Sequence, residues 1–555
     1  MISNLPLPIK ILLISFNSEW HQDVWNILAI ETLYGDLIGE FGSLINIDTM
    51  RLGPEDEIDK NLIMIQEYHP HLIGFSLDIG SHNIFFKLLD NLKNAGICDY
   101  AKLVCGGTLC TYSYDYFFKN QLFSELKPII IIGEGELALR DIVYHCMGQR
   151  DLIDICNIMF FNDEKGKYIA NEVKNQNIDL LVHPPITIPY NNLKHRVHIL
   201  QASRNCIFNC SYCTQGPHKK WRSLPLQRVK KNLDDLLSQG ITEFEFVDDE
   251  FFGGISVDRI DRAEEISNIM LELQKKHKAK IQFRIFTNPY IISSKIKNSK
   301  GIDFVGILKA LKQTGLCRVY LGVESWTLEQ RKRYNRKDSI EDCLNAINIL
   351  KNLKINIDAG FIMFDPEVSI KEIKENIRLI YKTNFLEYNT WPFRPMTITE
   401  GTPLYDRVKA LNLLYKRDKK NISCFNYRFI NPDVELIYSE VERIAQYSSK
   451  IFYNLKYLFK ENHFNIEDSD IRLLNSFIVE NAEINLKLIE RLIGNIESNQ
   501  NILQTREWAD EKIIELITKI EKNMGRFNQT GASTKYIDSS IKRAKSSFGI
   551  PIYNN

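Results

Sequence analysis

The stretch Cys206-Ile-Phe-Asn-Cys210-Ser-Tyr-Cys213 constrains this chain more than any other. Three cysteines follow directly on the apolar run Val197-His-Ile-Leu-Gln201, which has the character of a strand. They therefore sit on a loop beyond a strand's C-terminal end, where three sulfurs can face one small inorganic core. Thiolates are soft ligands and suit iron–sulfur clusters or zinc. Structural zinc takes four ligands, commonly as two separated pairs. No second CxxC and no histidine pair lies nearby. A three-cysteine site thus leaves one position open, as catalysis requires.

With Tyr212 just before the third cysteine, the motif resembles the signature of the radical S-adenosylmethionine (SAM) superfamily. The resemblance implies that Cys206, Cys210 and Cys213 hold three irons of a 4Fe–4S cluster and that the fourth iron binds the amino and carboxylate groups of SAM. One electron, from a donor such as flavodoxin or ferredoxin, then splits the sulfonium to a 5′-deoxyadenosyl radical. The bland alternative is three incidental buried thiols. Eleven cysteines in 555 residues are ordinary, but their clustering here is not.

A chain of 555 residues is too long for one core, and about three domains are expected. The 70 basic residues balance 70 acidic ones, which argues against a mainly electrostatic nucleic-acid binder. No cationic leader precedes a long apolar run, and no run is long enough for a membrane span, so a soluble cytoplasmic protein with reduced thiols is expected.

Residues 1–150 alternate short apolar strands with helix-like stretches. The runs Ile9–Ser15, Leu44–Met50, Leu72–Ser76, Lys102–Cys105 and Pro128–Ile132 predict an α/β, doubly wound, Rossmann-like sheet. Three of these strands lead into Ser76-Leu77-Asp-Ile-Gly-Ser81, Gly106-Gly107-Thr108 and Gly133-Glu134-Gly135-Glu136. This set resembles the cobalamin-binding type of domain that precedes many radical SAM enzymes. The resemblance places Ser76, Leu77, Gly106, Gly107, Thr108, Gly133, Glu134 and Gly135 against the corrin. His21 falls outside the DxHxxG pattern that supplies a lower axial ligand, so binding would proceed without that histidine. A docking domain without cofactor is the competing reading, since glycines are common turn formers. Residues 151–195 read as a linker with a hairpin at Phe160–Lys167 and an extended proline segment from Pro184 to Pro189.

Over residues 196–410, strands at Glu243–Val247, Lys280–Phe286, Arg318–Val323, Asn356–Phe364 and Glu387–Phe393 follow the strand before Cys206. About six βα units predict a partial TIM-like (β/α)6 barrel with its chemistry at the strands' C-terminal ends. Leu226–Gln239 reads as an amphipathic helix stopped by Gly240, and Ser369-Ile-Lys-Glu372 as a capping box. The strand ends carry Asp248-Asp249-Glu250, Thr287-Asn288, Glu324-Ser325 and Asp365, with Arg336 placed to pair with a carboxylate. By resemblance, Tyr212, Asp248, Asp249, Glu250, Thr287, Glu324, Ser325, Arg336 and Phe364 contact SAM.

Residues 411–525 predict long helices at Val434–Leu458, Asp468–Glu497 and Ile502–Lys522, a bundle that could cap the barrel mouth. Residues 526–555 read as a loosely ordered tail with a short basic helix. Cys424 is a candidate radical-quenching hydrogen donor, with an inert buried thiol as its alternative.

The leading expectation is cobalamin-dependent methylation of an unactivated carbon in a peptide or small natural product. Epimerisation, cyclisation or rearrangement without a cobalamin methyl donor is the alternative within the same chemistry. An inactive cluster-bearing binding or electron-transfer protein is the alternative of another class.

Overall fold

The structure is a computed structural model that describes residues 5–17, 27–53, 58–188, 197–215, 220–461, 468–528, 540–542 and 544–545. Residue His21, the end of the proline segment and most of the predicted tail lie outside the described residues.

Continuous apolar runs form β1 (Ile9–Phe16), β2 (Ile45–Leu52), β3 (Leu72–Ser76), β4 (Lys102–Gly106) and β5 (Ile129–Ile131). They are parallel and stand in the order β2-β1-β3-β4-β5. Two apolar cores lie on the two sides of this sheet, which is why β1 is buried along nearly its whole length. The order reverses between β1 and β3, so a crevice opens beyond the C-terminal ends of the strands. β6 (Ile158–Asn162) and β7 (Lys167–Ala170) form the expected hairpin, but it is no free linker element. β6 pairs antiparallel with β5 and covers an edge that would otherwise be bare, extending the sheet to seven strands.

The central sheet holds β8 (His198–Leu200), β11 (Glu243–Phe246), β12 (Gln282–Thr287), β13 (Leu316–Glu324) and β14 (Asn356–Phe361), all parallel. Between β8 and β11 lies a two-residue antiparallel ribbon, β9 (Ser203–Arg204) with β10 (Arg222–Ser223). Outer helices close the barrel arc. The helix Leu226–Ser238 buries Val229, Leu233, Leu236 and Leu237 and ends just before Gly240, at φ +80°. Ser369 and Glu372 form the expected capping box.

The sixth strand expected over 387–393 is absent as a regular element. That segment starts as a tight turn at Phe385–Glu387 and runs irregularly beside β14. It is held by the Met363 N–H to the Arg394 carbonyl at 3.0 Å and the Met396 N–H to the Phe364 carbonyl at 2.6 Å. Pro392 and Pro395 supply no N–H, so no ladder can propagate.

β15 (Ile398–Thr399), β16 (Leu414–Arg417) and β17 (Cys424–Tyr427) make a small antiparallel sheet that the sequence patterns did not predict. Three helices follow, Pro432–Glu461, Asp468–Glu497 and Leu503–Asn528, each packed on the other two. Their shared stripe, including Phe477, Leu486, Ile489 and Leu492, is buried. The bundle shares one apolar core with the barrel. Its middle helix lies against the outer helix Ile370–Lys382, where Lys374 meets Glu497 at 2.5 Å. On the bundle's first helix, Tyr438 packs near Phe364, just past β14, at 5.4 Å between ring centres.

Candidate active site

The cysteine loop leaves the barrel just past β9. Its middle is tied to the segment after β13. Ser211 donates its N–H to the Tyr334 carbonyl at 3.0 Å and its hydroxyl to the Arg333 carbonyl at 2.7 Å. Asn335 donates its side-chain amide to the Asn209 carbonyl at 2.7 Å. The sulfurs receive donors: Phe208 N–H on Cys206 at 3.5 Å, Gln215 N–H on Cys213 at 3.4 Å, and Arg336 Nη1 on Cys210 at 3.6 Å. Burial pushes the Cys206 and Cys210 thiols up, and Arg336 opposes this at Cys210. Among the described residues, no three His, Cys, Asp or Glu groups converge on a point that one ion could fill.

Arg336 and Glu324 lie beside Cys210 and Tyr212. Glu324 has φ +65°, a conformation that costs an L side chain roughly 1–3 kcal/mol and marks a site held by its surroundings. The bulge there turns its carboxylate back over the sheet. A Cβ at Gly360 would lie 3.0 Å from Glu324 Oε1 and 2.8 Å from the Tyr320 hydroxyl, so glycine leaves the room that the carboxylate occupies. Burial raises the Glu324 carboxyl, opposed by Arg336. Arg336 itself pairs with Asp338 at 2.8 Å, donates to the Gly322 carbonyl at 2.5 Å and lies 3.5 Å from the Tyr212 hydroxyl. The predicted carboxylate partner of Arg336 exists, and the close ion pair is to Asp338.

The acidic trio after β11 divides. Asp249 is exposed and lines a cavity. Asp248 is buried, accepts from the Ala202 N–H at 3.1 Å and from the Ser203 hydroxyl, and has its carboxyl pushed up to about 6 by burial. Glu250 is buried too. It accepts from the Thr287 hydroxyl at 2.8 Å and the Asn288 N–H at 2.9 Å, which uses the predicted Thr287 as its partner. Desolvation still dominates and raises the Glu250 carboxyl to about 8. The native state thus binds this proton more tightly than the unfolded chain, whose carboxyl has the ordinary value of 4.5. The stability from this group is full below about pH 4.5 and lost as pH climbs through about 8. Thermal unfolding from pH 5 to 9 should show that decline, and Glu250→Gln should flatten it.

Two other predicted SAM contacts are committed elsewhere. Ser325 is fully buried in a network with Gln330, at 2.7 Å, and Asn376. Phe364 is fully buried against Phe429 and Tyr438. Cys424 lies on β17 with Asn421 Nδ2 on its sulfur at 3.0 Å, is not among the cavity-lining residues, and has its thiol raised by burial.

The cavity has a volume of about 500 Å³, within the usual range for cofactor sites of about 300–1,000 Å³. It opens at the crevice end of the first sheet and is lined by residues that flank the cysteine loop, Arg204, Asn205, Thr214 and Gln215, whereas Cys206, Cys210 and Cys213 do not line it. Of the predicted corrin contacts, Ser76, Gly106, Gly107, Thr108, Gly133, Glu134 and Gly135 line it. Leu77 does not: its side chain is buried in the core, and its backbone supports Gly107 from behind. The opposite wall comes from the barrel and is polar: Gln201, Asn205, Thr214, Gln215 and Asp249. Sequence reasoning missed these amides, and Tyr112 with them. Among the described residues no helix is long and apolar enough to cross a membrane.

Residues 200–380 match the family model described as the radical SAM superfamily. A 4′-phospho-dehydrooxetanocin synthase of Priestia megaterium is 27% identical over 403 residues, covering 69% of this chain and 51% of that protein. The match thus spans about half of that relative's length. An uncharacterized methyltransferase of Pyrococcus horikoshii is 24% identical over 399 residues, covering 70% of this chain and 79% of its own. Among solved structures, the cobalamin-dependent S-adenosylmethionine radical enzyme OxsB with aqua-cobalamin bound aligns with 98% of this chain and 84% of its own. The TM-score is 0.78 at 19% sequence identity, a likeness of fold.

Proposed function

We propose, from the premise that the central domain of this chain is a radical SAM domain, that the protein methylates an unactivated carbon of a peptide or small natural product with the help of cobalamin. The observation that supports this is the cavity itself. It sets the glycine-rich strand ends of one domain opposite the two ends of the cysteine loop of the other, so that two cofactors could work on one substrate. A cluster and SAM bound at the cysteine loop would supply the radical, and a corrin in the cavity would supply the methyl group. The named relatives point the same way: one is called a methyltransferase, and the OxsB structure holds aqua-cobalamin.

The chain's own residues would share the work as follows. Cys206, Cys210 and Cys213 would hold the cluster, with Arg336 offsetting negative charge at Cys210. Glu324 and Asp249 would accept hydrogen bonds from SAM hydroxyl and ammonium groups. Gly106, Gly107, Gly133 and Gly135 would let the backbone approach a corrin face closely. The amide wall of Gln201, Asn205 and Gln215 would orient the substrate.

Anaerobic purification with cobalamin supplied, followed by an absorption spectrum and an assay for 5′-deoxyadenosine, tests the proposal. A corrin-free protein that still turns over would leave only epimerisation, cyclisation or rearrangement. A reduced, cluster-loaded protein that cannot cleave SAM would favour a binding or electron-transfer role. Gly107→Ala is a sharp control. Gly107 has φ +96°, and a Cβ there would lie 2.5 Å from the Leu77 carbonyl oxygen. The loop must move, so corrin retention should fall by about tenfold or more, the equivalent of 1.4 kcal/mol in binding.

A further inference from the structure

The Gly133–Glu136 turn does more than border the cavity. Arg204 and Arg222 stand directly opposite each other in the β9–β10 ribbon. Like charges so placed repel, and the ribbon's one other pair, Ser203 with Ser223, carries no charge to offset that. The compensation comes from the other domain. Glu136 Oε1 bonds Arg204 Nη2, and both groups are more than nine-tenths buried. Glu134 bridges the two arginines, at 3.5 Å from Arg204 Nη1 and at 2.5 and 3.0 Å from the two terminal nitrogens of Arg222. Gln176 then locks Glu134, donating its side-chain amide to the Glu134 carbonyl at 2.6 Å and its N–H to Oε2 at 3.1 Å.

These arginines frame the start of the cysteine loop. Arg204 is two residues before Cys206, and Arg222 also bonds the Asn205 side chain. Asn205 has φ +65° and reaches across to Gln215, just past the last cysteine, at 3.4 Å. At the far end, the Tyr112 hydroxyl of the N-terminal domain donates to the Thr214 carbonyl at 3.2 Å. The loop's middle is therefore held by the barrel and its two ends by the N-terminal domain. A buried ion pair is a poor source of net stability, because desolvation consumes most of its Coulomb gain, but separating its partners leaves uncompensated buried charge and is strongly disfavoured.

We infer that Glu134 and Glu136, through Arg204 and Arg222, are positioning residues that fix the cysteine loop relative to the cavity of the N-terminal domain, with Tyr112 fixing its other end. The inference rests on the loop being the cluster site and is independent of whether a corrin binds. Cys156 is exposed on the N-terminal domain and can carry a nitroxide label. Its distance to the reduced cluster is read from the relaxation enhancement of the label. A narrow distance distribution is expected in the parent protein, and a shifted, broader one in Glu136→Gln. Should that chain fail to fold, Tyr112→Phe removes a single hydroxyl and is expected to shift the distribution in the same way. An unchanged distribution in a folded variant that holds its cluster overturns the positioning role alone. A parent protein that assembles no cluster overturns both this inference and the functional proposal.

Discussion

Cys210→Ala protein should fold, yet fail to hold an intact cluster and cleave SAM more than about 100-fold slower than the parent, beyond the 10–100-fold typical of changes around a ligand rather than at one. Cys210 is the central thiol of the three and is 7% exposed. Removing its Sγ leaves a cavity of only one atom in a loop still anchored through Ser211 and Asn209, so the fold has little to lose. Iron content, the absorption of the reconstituted protein and the yield of 5′-deoxyadenosine check this together. A variant with full iron content and the parent's cleavage rate would remove the ground for assigning the loop to a cluster.

The second large effect is expected at Arg336. Its guanidinium touches the Cys210 sulfur, the Tyr212 hydroxyl, the Gly322 carbonyl and Asp338 at once. Arg336→Ala would leave Asp338, which is fully buried at its side chain, and Glu324 short of a cation. Breaking a buried pair costs about 3–5 kcal/mol. The lower end is expected here, because Arg331 still faces Asp338. Chemical unfolding should read that loss, and SAM cleavage should fall by about 10²–10³-fold as a donor aimed into the site disappears. Arg336→Lys separates the two effects. Lysine restores a charge but cannot span a carboxylate, a carbonyl and a sulfur with one planar fork. Stability should return more fully than activity.

The parts of the site that could be read from the chain are those built by neighbours in sequence. A CxxxCxxC loop brings its own sulfurs together by covalent spacing, whatever surrounds it. The glycine turns after β3, β4 and β5 were legible for the same reason, since a buried strand followed by glycine announces a sheet end that can approach a ligand. The helices Asp468–Glu497 and Leu226–Ser238 were legible from a 3.6-residue apolar period. Even the failure of the sixth strand is written in Pro392 and Pro395, which lack the N–H donors that a ladder needs.

What could not be read depends on which polar groups the fold buries together. Nothing local distinguishes Asp249, which faces the cavity, from Asp248 and Glu250 on either side, which accept bonds from Ala202, Ser203, Thr287 and Asn288 inside the barrel. Ser325 resembles a ligand contact in sequence, but packing closed a hydrogen-bond network around it. The grip of Glu136 on Arg204 and of Glu134 on Arg222 joins residues 68 and 88 positions apart. The sequence by itself determined the three thiols, the positions of the parallel strands and the glycine-edged crevice, because backbone geometry and side-chain period act over a few residues. Only the tertiary structure decided which carboxylates face the cavity and which are paired and buried, because desolvation and ion pairing are properties of the whole packed interior.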